Sequence, residues 1–333
     1  MKNAAVKLML VLFALLSATP CRGQADPAVI HANANRTGTI AYKEGWHGTG
    51  PSRLHYVEAG SGPLVILYHG FPSFWYSWFD QMEVLKTRYR VVAVDALGAG
   101  RSGKPDTLEP YQVRQLAAQL DGLARHLHRG RFVLIGHDWG AALAFAYAQA
   151  YPGRLNAVIG MSAPSFNVFL DLVGSDPDQQ RRSQYMRLFG SLTLEDIRQR
   201  GLAPRIARDS YKDLIASGAL TPAEGQLFQT TLGDPETMNG GMNWYRANIP
   251  PFDRIARTDR WPAEDPSIKV RAMLITGAAD ETFVPAFPQR MKDRVPGLQV
   301  VSLPGVGHWT SMQDPAAANA AILRFLRARP QRR

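Results

Sequence analysis

A carboxylate occupies the middle of a predicted sharp turn in this chain. The apolar run RFVLI is followed by GHDWG and then by AALAFAYAQAYP, an order that predicts a strand, a turn and a helix. In turns of the form G-x-S-x-G the middle residue is a nucleophilic serine above the edge of a sheet. Here the middle residue is Asp138, flanked by Gly136 and Gly140. Asp138 is therefore a candidate nucleophile, with a simple cap of the following helix as the alternative.

Two later residues could complete a catalytic group with Asp138. Asp280 follows an apolar run in LITGAADETFVP, and His308 follows the last apolar run in LPGVGHWTSMQDP. Side chains at the carboxyl ends of parallel strands face the ligand crevice of the sheet. Either residue alone could be an ordinary turn or loop residue, but together the three follow the order nucleophile, acid, base of α/β-hydrolase triads. We predict that Asp280 holds His308 and that His308 acts as the base.

A second turn could supply hydrogen-bond donors to the same place. The turn YHGFP follows an early predicted strand and ends at Pro72, which we expect to follow a cis peptide bond. The backbone N–H of Phe71 and that of Trp139 would then point at one spot above Asp138. Two such donors form an oxyanion hole. The alternative is that HGFP is a turn without a catalytic role.

A carboxylate nucleophile suits a different reaction from a serine. Asp138 is ionised at neutral pH and needs no base before it attacks. A carboxylate can displace a leaving group from an alkyl carbon, and the product is an ester on the enzyme. His308 can then activate water against the ester carbonyl. The sequence therefore predicts hydrolysis at an electrophilic sp³ carbon, with a halide or an epoxide oxygen as the leaving group.

Aromatic residues supply candidate groups for binding the substrate. An epoxide oxygen leaves as an alkoxide and needs strong donors, which neutral tyrosine hydroxyls with a pKa near about 10 can provide. The stretches SQYMRLFG and MNWYRANIP contain Tyr185 and Tyr245, whereas we expect Tyr211 to be a packing residue. The predicted substrate-binding residues are Trp75, Trp244 and Trp309.

These residues need a sheet that brings strand ends together. Short apolar runs, among them PLVILYHG, YRVVAVD, LNAVIGMSAP and LQVVSLPG, alternate with amphipathic stretches. This alternation predicts an α/β fold, namely a doubly wound and mostly parallel sheet of the α/β-hydrolase type. Between about Ser165 and Pro262 the apolar runs stop, which predicts an inserted helical cap. The predicted units are a signal peptide (1–25), a hydrolase core (26–164 and 263–333) and a cap or lid (165–262).

The first residues have the pattern of a secretory signal. Lys2 and Lys7 precede the run LMLVLFALLSA, and small residues precede Asp26. The run is shorter than the roughly 20 residues that a membrane-spanning helix needs, so we expect cleavage after Ala25 and no stable membrane anchor. Cleavage would remove Cys21, the only cysteine. We therefore expect a periplasmic or extracellular protein.

Charge and the glycine-rich segments exclude some other functions. The net charge is +10, but the arginines are scattered among acidic residues rather than clustered as in a nucleic-acid-binding surface. The segment GAGRSG matches a dinucleotide pattern, but Gly103 runs into Lys104 and Pro105, so no helix begins there. We predict an enzyme without metal or cofactor, whose partners are a small molecule and water. The sequence does not indicate an oligomeric state.

From about Arg53 to Leu326 the sequence resembles the epoxide hydrolases of the α/β-hydrolase superfamily. The resemblance rests on HGFPSFWYSW, GHDWG, QYMRLF, NWYR, the turn around Asp280 and GHWTSMQDP. It implies an enzyme that opens an epoxide to a vicinal diol. The roles that it implies are nucleophile (Asp138), charge-relay pair (Asp280 and His308), oxyanion donors (Phe71 and Trp139) and epoxide-polarising pair (Tyr185 and Tyr245).

Dehalogenases are the alternative, because they can use the same nucleophile. Haloalkane dehalogenases share HDWG but usually carry Asn or a second Trp as a halide donor, and this chain has Phe71 there. Haloacetate dehalogenases resemble the chain too but carry arginines beside the nucleophile, where this chain has Trp139 and Ala142. These departures favour an epoxide over a halogenated substrate.

Overall fold

The computed structural model describes residues 42–328, so the predicted signal peptide lies outside the described residues. Eight strands form a single sheet. In chain order they are β1 (Lys43–His47), β2 (Leu54–Ala59), β3 (Leu64–Tyr68), β4 (Arg90–Val94), β5 (Phe132–His137), β6 (Leu155–Met161), β7 (Ala272–Gly277) and β8 (Gln299–Leu303). Across the sheet their order is β1-β2-β4-β3-β5-β6-β7-β8.

The sheet is parallel except at one edge. Strand β2 runs antiparallel to β1 and to β4, and every other neighbouring pair is parallel. The central strands β3, β5 and β7 are buried at every position, whereas the edge strands β1 and β8 have exposed residues. Continuous apolar runs are typical of parallel strands covered by helices on both faces. The α/β-hydrolase fold class predicted from the sequence is confirmed.

Helices connect and cover these strands. Within residues 42–328 they are α1 (Phe79–Leu85), α2 (Val113–Leu127), α3 (Trp139–Ala150), α4 (Phe166–Ser175), α5 (Pro177–Arg182), α6 (Gln184–Ser191), α7 (Leu194–Gln199), α8 (Leu202–Ala216), α9 (Pro222–Leu232), α10 (Pro235–Asn248), α11 (Phe287–Arg294), α12 (Thr310–Gln313) and α13 (Pro315–Arg327). Among the residues that the structure describes, no helix combines the length and apolarity needed to cross a membrane.

The segment between β6 and β7 has a different character from the rest of the chain. It contains helices α4 to α10, and between residues 162 and 271, all of them described, there is no strand. Capping residues define several of these helices: Ser165 accepts from the Val168 N–H at the start of α4, and Asp234 accepts from the Thr237 N–H at the start of α10. The division into core and cap at residues 165 and 262 stays a prediction about domains.

Candidate active site

The turn between β5 and α3 holds Asp138 in an unusual backbone conformation. Its φ is +54°, a region that L residues rarely adopt and that costs free energy. The turn is also tightly packed: a Cβ on Gly136 would lie 2.0 Å from the Gly140 carbonyl oxygen, and a Cβ on Gly140 would lie 2.0 Å from that of Tyr68. Asp138 occupies the N-cap position of α3, yet its side chain makes no capping hydrogen bond. The simple helix-cap alternative is therefore wrong.

The two carboxylate oxygens of Asp138 face different partners. Oδ1 accepts a hydrogen bond of 2.9 Å from the backbone N–H of Phe71, and Oδ2 lies 3.5 Å from Nε2 of His308. The N–H of Trp139 belongs to the first turn of α3, where backbone donors have no acceptor within the helix. The peptide bond between Phe71 and Pro72 is cis, as expected from the HGFP turn. The structure thus brings the predicted nucleophile and its predicted oxyanion donors together.

His308 links Asp138 to the second predicted carboxylate. Its Nδ1 lies 2.9 Å from Oδ2 of Asp280, whose other oxygen accepts from the Thr282 N–H at 2.8 Å. The ring of His137 adds a contact that the sequence analysis did not anticipate, because its Nε2 donates to the His308 carbonyl at 2.8 Å. With Nδ1 engaged by one carboxylate, the Nε2 of His308 faces the other.

Charge strongly perturbs the pKa values of this group. Burial alone would lower the pKa of His308, but the carboxylates of Asp280 and Asp138 raise it to about 10. Burial alone would raise the pKa of both carboxyls, but the contacts with His308 hold them below their ordinary range. Burial and the nearby charge of His308 lower the pKa of His137 to about 4. At neutral pH the free protein therefore holds His308 as an imidazolium between two carboxylates.

The two predicted tyrosines lie together and feel the charge of the nucleophile. Tyr185 on α6 and Tyr245 on α10 pack edge to face, with ring centroids 6.2 Å apart. The two hydroxyls interact with each other, and the Tyr245 hydroxyl also interacts with the Trp139 side chain. Burial raises the pKa of both phenols far above the ordinary value, and the negative charge of Asp138 raises it further. Both hydroxyls therefore stay protonated at any pH near neutral.

The three predicted substrate-binding tryptophans occupy different places. Trp244 packs edge to face on Trp139 with centroids 5.8 Å apart, and Trp309 packs edge to face on His308 at 5.6 Å. Trp75 instead packs against Tyr42, Phe74 and Tyr76 in the core, and its backbone N–H donates to Asp95. These contacts support a place in the site for Trp244 and Trp309. They give no support to substrate binding by Trp75.

A small, mainly apolar cavity adjoins the oxyanion donors. Its walls include Phe71, Trp139, Trp244 and Gly241 of α10. A Cβ on Gly241 would lie 2.2 Å from the Phe71 ring, so glycine at this position lets α10 approach the HGFP turn. Phe71 also packs edge to face on Tyr245 at 5.5 Å. Helix α10, which carries Tyr245, is therefore in direct contact with the HGFP turn.

Sequence reasoning missed two further contacts of this site. Tyr211, expected only to pack, donates its hydroxyl to the Pro72 carbonyl at 2.6 Å and so joins α8 to the HGFP turn. His69 is buried at the end of β3 with both ring nitrogens hydrogen-bonded. Its position beside Gly70 in HGFP was the available signal, because a polar ring next to a tight turn needs partners when it is buried.

Comparison with known proteins agrees with this geometry. Residues 63–315 match the family model described as the alpha/beta hydrolase fold. Epoxide hydrolase 3 of Xenopus tropicalis is 30% identical over 285 residues, which span 83% of this chain and 75% of that protein. Epoxide hydrolase A of Mycobacterium tuberculosis is 30% identical over 311 residues, which span 82% of this chain and 94% of that protein.

A solved structure points the same way. The crystal structure of epoxide hydrolase A from Mycobacterium thermoresistibile is similar, with a TM-score of 0.72 and 30% identity; the match covers 86% of this chain and 99% of that one. Fold, family model and relatives agree, and the chain belongs to the α/β-hydrolase fold family, among its epoxide hydrolases.

Proposed function

We propose that this protein hydrolyses an epoxide to a vicinal diol through an ester on Asp138. One observation carries the proposal: a carboxylate held by Phe71 and His308 shares a buried site with two protonated tyrosines whose pKa values its charge raises. An anionic nucleophile and neutral acids in one buried site are what opening an epoxide ring requires.

In the first step Asp138 attacks one epoxide carbon. Oδ1 is already bonded to the Phe71 N–H, so Oδ2 is the oxygen that attacks and Oδ1 remains as the ester carbonyl. The C–O bond of the ring breaks, and its electron pair goes to the epoxide oxygen. Tyr185 or Tyr245 supplies the proton that this oxygen needs. The product is a hydroxy-ester of Asp138 and a tyrosinate.

In the second step His308 changes its role. Forming the ester removes the negative charge from Asp138, so the imidazolium loses one of its two neighbouring carboxylates and its pKa falls. Its proton restores the tyrosinate, and the neutral ring can then take a proton from water. The hydroxide attacks the ester carbonyl, and the Phe71 and Trp139 N–H groups stabilise the oxyanion. When the diol leaves with a proton, Asp138 is again ionised and His308 again protonated.

The dehalogenase alternative has less support from the same contacts. A halide leaving group is stabilised by N–H donors that are free to turn towards it. The Trp139 side chain interacts with the Tyr245 hydroxyl, and Phe71 has no side-chain N–H. Two tyrosine hydroxyls are also stronger donors than a departing halide needs. The donor set therefore favours an oxygen leaving group.

Isotope labelling and a trapped intermediate test the proposal. In a single turnover in ¹⁸O-labelled water, the label should enter the carboxyl of Asp138, and the first diol should be largely unlabelled. Replacement of His308 by Gln should leave a substrate-sized mass on the protein. A diol labelled in its first turnover, with an unlabelled protein, would mean direct attack of water and would refute the ester.

We also propose that the protein acts outside the cytoplasm. The support is the pattern of residues 1–25, with two lysines before a short apolar run. Intact-mass analysis of protein from the periplasm or the culture medium should find a chain that begins at Asp26. A full-length chain found only in the cytoplasm would contradict this proposal without affecting the proposed reaction.

A further inference from the structure

His69 is held on both sides of its ring. The residue follows β3 and is 1% exposed. Nδ1 lies 2.7 Å from the carbonyl oxygen of Gly70, and Nε2 lies 2.9 Å from the backbone nitrogen of Ala96, which follows β4. The ring therefore links the HGFP turn to the loop after a neighbouring strand.

The two partners define the protonation state of His69. A carbonyl oxygen can only accept, so Nδ1 carries a proton. The Ala96 N–H can only donate, so Nε2 carries none. Burial, which lowers the pKa of His69, agrees with a neutral ring. His69 is thus a neutral Nδ1–H tautomer whose one proton is directed at Gly70.

The carbonyl of Gly70 and the N–H of Phe71 belong to the same planar peptide unit. On one side this unit accepts from His69; on the other it donates to Oδ1 of Asp138 at 2.9 Å. A rotation that turned the N–H away from Asp138 would also break the bond to His69. We propose that His69 is a positioning residue, which holds the Gly70–Phe71 peptide so that its N–H is directed at the ester carbonyl of Asp138.

The proposed role of His69 rests on the proposed ester mechanism. It concerns hydrolysis of the ester more than the ring opening that forms it. During ester hydrolysis Oδ1 becomes a full oxyanion, so it depends on a correctly directed donor. A carbonyl that accepts a hydrogen bond also polarises its peptide and strengthens the N–H on the other side. During ring opening Asp138 instead loses negative charge. Loss of the His69 bond should therefore slow hydrolysis of the ester more than its formation.

Two substitutions separate the bonds of His69. The amide nitrogen of Asn occupies about the place of Nδ1, so His69→Asn can keep the donor to Gly70 and lose the acceptor for Ala96. The amide of Gln reaches the place of Nε2, so His69→Gln can keep the acceptor and lose the donor. Each loses one buried hydrogen bond, so their losses of stability should be similar.

The readout is the rate of ester hydrolysis divided by the rate of ester formation. Mass spectrometry measures both rates in single turnovers. In His69→Gln this ratio should fall about 10- to 100-fold below that of His69→Asn, less than the roughly 100- to 1000-fold caused by losing a whole oxyanion donor. The ester should therefore accumulate in His69→Gln. Equal ratios in the two variants, or a lower ratio in His69→Asn, would overturn the proposal.

Two control variants distinguish the loss of the His69 bond from a general loss of stability and from a failure of the ester mechanism. His55 is as buried as His69 and bonds to Asp95, next to Ala96, but does not touch the HGFP turn; His55→Gln should lose stability without accumulating ester. A His308→Gln variant that gains no mass would refute the ester mechanism itself, independently of His69. If neither His69 variant folds, NMR of the native enzyme decides: an Nε2–H tautomer or a charged His69 ring at pH 7 would overturn the proposal.

Discussion

Removing the charge of Asp138 should turn His308 from an imidazolium into a neutral base. Two carboxylates raise the pKa of His308 to about 10 in the free protein. Replacement of Asp138 by Asn keeps the size of the side chain and removes its charge, as ester formation does. The variant therefore mimics the electrostatics of the intermediate without substrate. We expect His308 to titrate near neutral pH in Asp138→Asn.

The size of the effect follows from the distance between the charges. Nε2 of His308 and Oδ2 of Asp138 are 3.5 Å apart. At an effective dielectric constant of about 20, two unit charges at that separation interact by about 5 kcal/mol. Since one pH unit corresponds to about 1.4 kcal/mol, the pKa should fall by about three and a half units. Asp280 stays in contact with Nδ1 and keeps the ring oriented.

NMR titration of the His308 ring measures this change directly. The native enzyme should keep the ring protonated up to about pH 9, whereas Asp138→Asn should titrate near about pH 6.5, about three and a half units lower. Tyr245→Phe is the matched control, because it alters the same pocket without removing a carboxylate and should leave the pKa high. Intact mass must show that the Asn has not deamidated. The same His308 pKa in the native enzyme and in Asp138→Asn would refute the proposed change of role.

Three further predictions follow from the site. Tyr245→Phe should slow ester formation in single turnovers, by about 10-fold or more for loss of a positioned acid; an unchanged rate would remove it from the mechanism. Gly241→Ala should lower activity by displacing the ring packed on it, whereas Gly190→Ala, an exposed helical site with nothing within 4 Å, should keep activity and gain up to about 1 kcal/mol of stability; equal activities would contradict this. The pKa of His308 is raised to about 10 in the folded state, so its stabilising contribution is full below the unfolded value of about 6.5 and is lost as the pH rises towards 10. The Tm of the native enzyme should therefore fall between pH 7 and 10 more than that of His308→Gln, and parallel curves would argue against the charged triad.

The sequence alone determined the fold class and the family. Buried parallel strands must be apolar at every position, so runs such as PLVILYHG and RFVLI identify the centre of the sheet directly. A strand, Asp138 between two glycines, and a helix together specify a sharp turn, because only glycine tolerates the backbone contacts observed there. The positions of Asp280 and His308 after late strands placed them at the same edge of the sheet as Asp138. These features are local patterns, and local patterns can be recognised without coordinates.

Only the tertiary structure decided which aromatic and polar side chains meet at that edge. Trp75 and Trp244 are alike in type and both lie beside other aromatic residues in the sequence, yet one packs in the core and the other lines the cavity. Tyr211 and His69 bond to distant segments, namely the Pro72 carbonyl and the Ala96 N–H. Such contacts join segments far apart in the chain, and they depend on how closely helices approach the sheet. Side-chain periodicity specifies which face of an element is buried, but it does not specify which residue lies opposite.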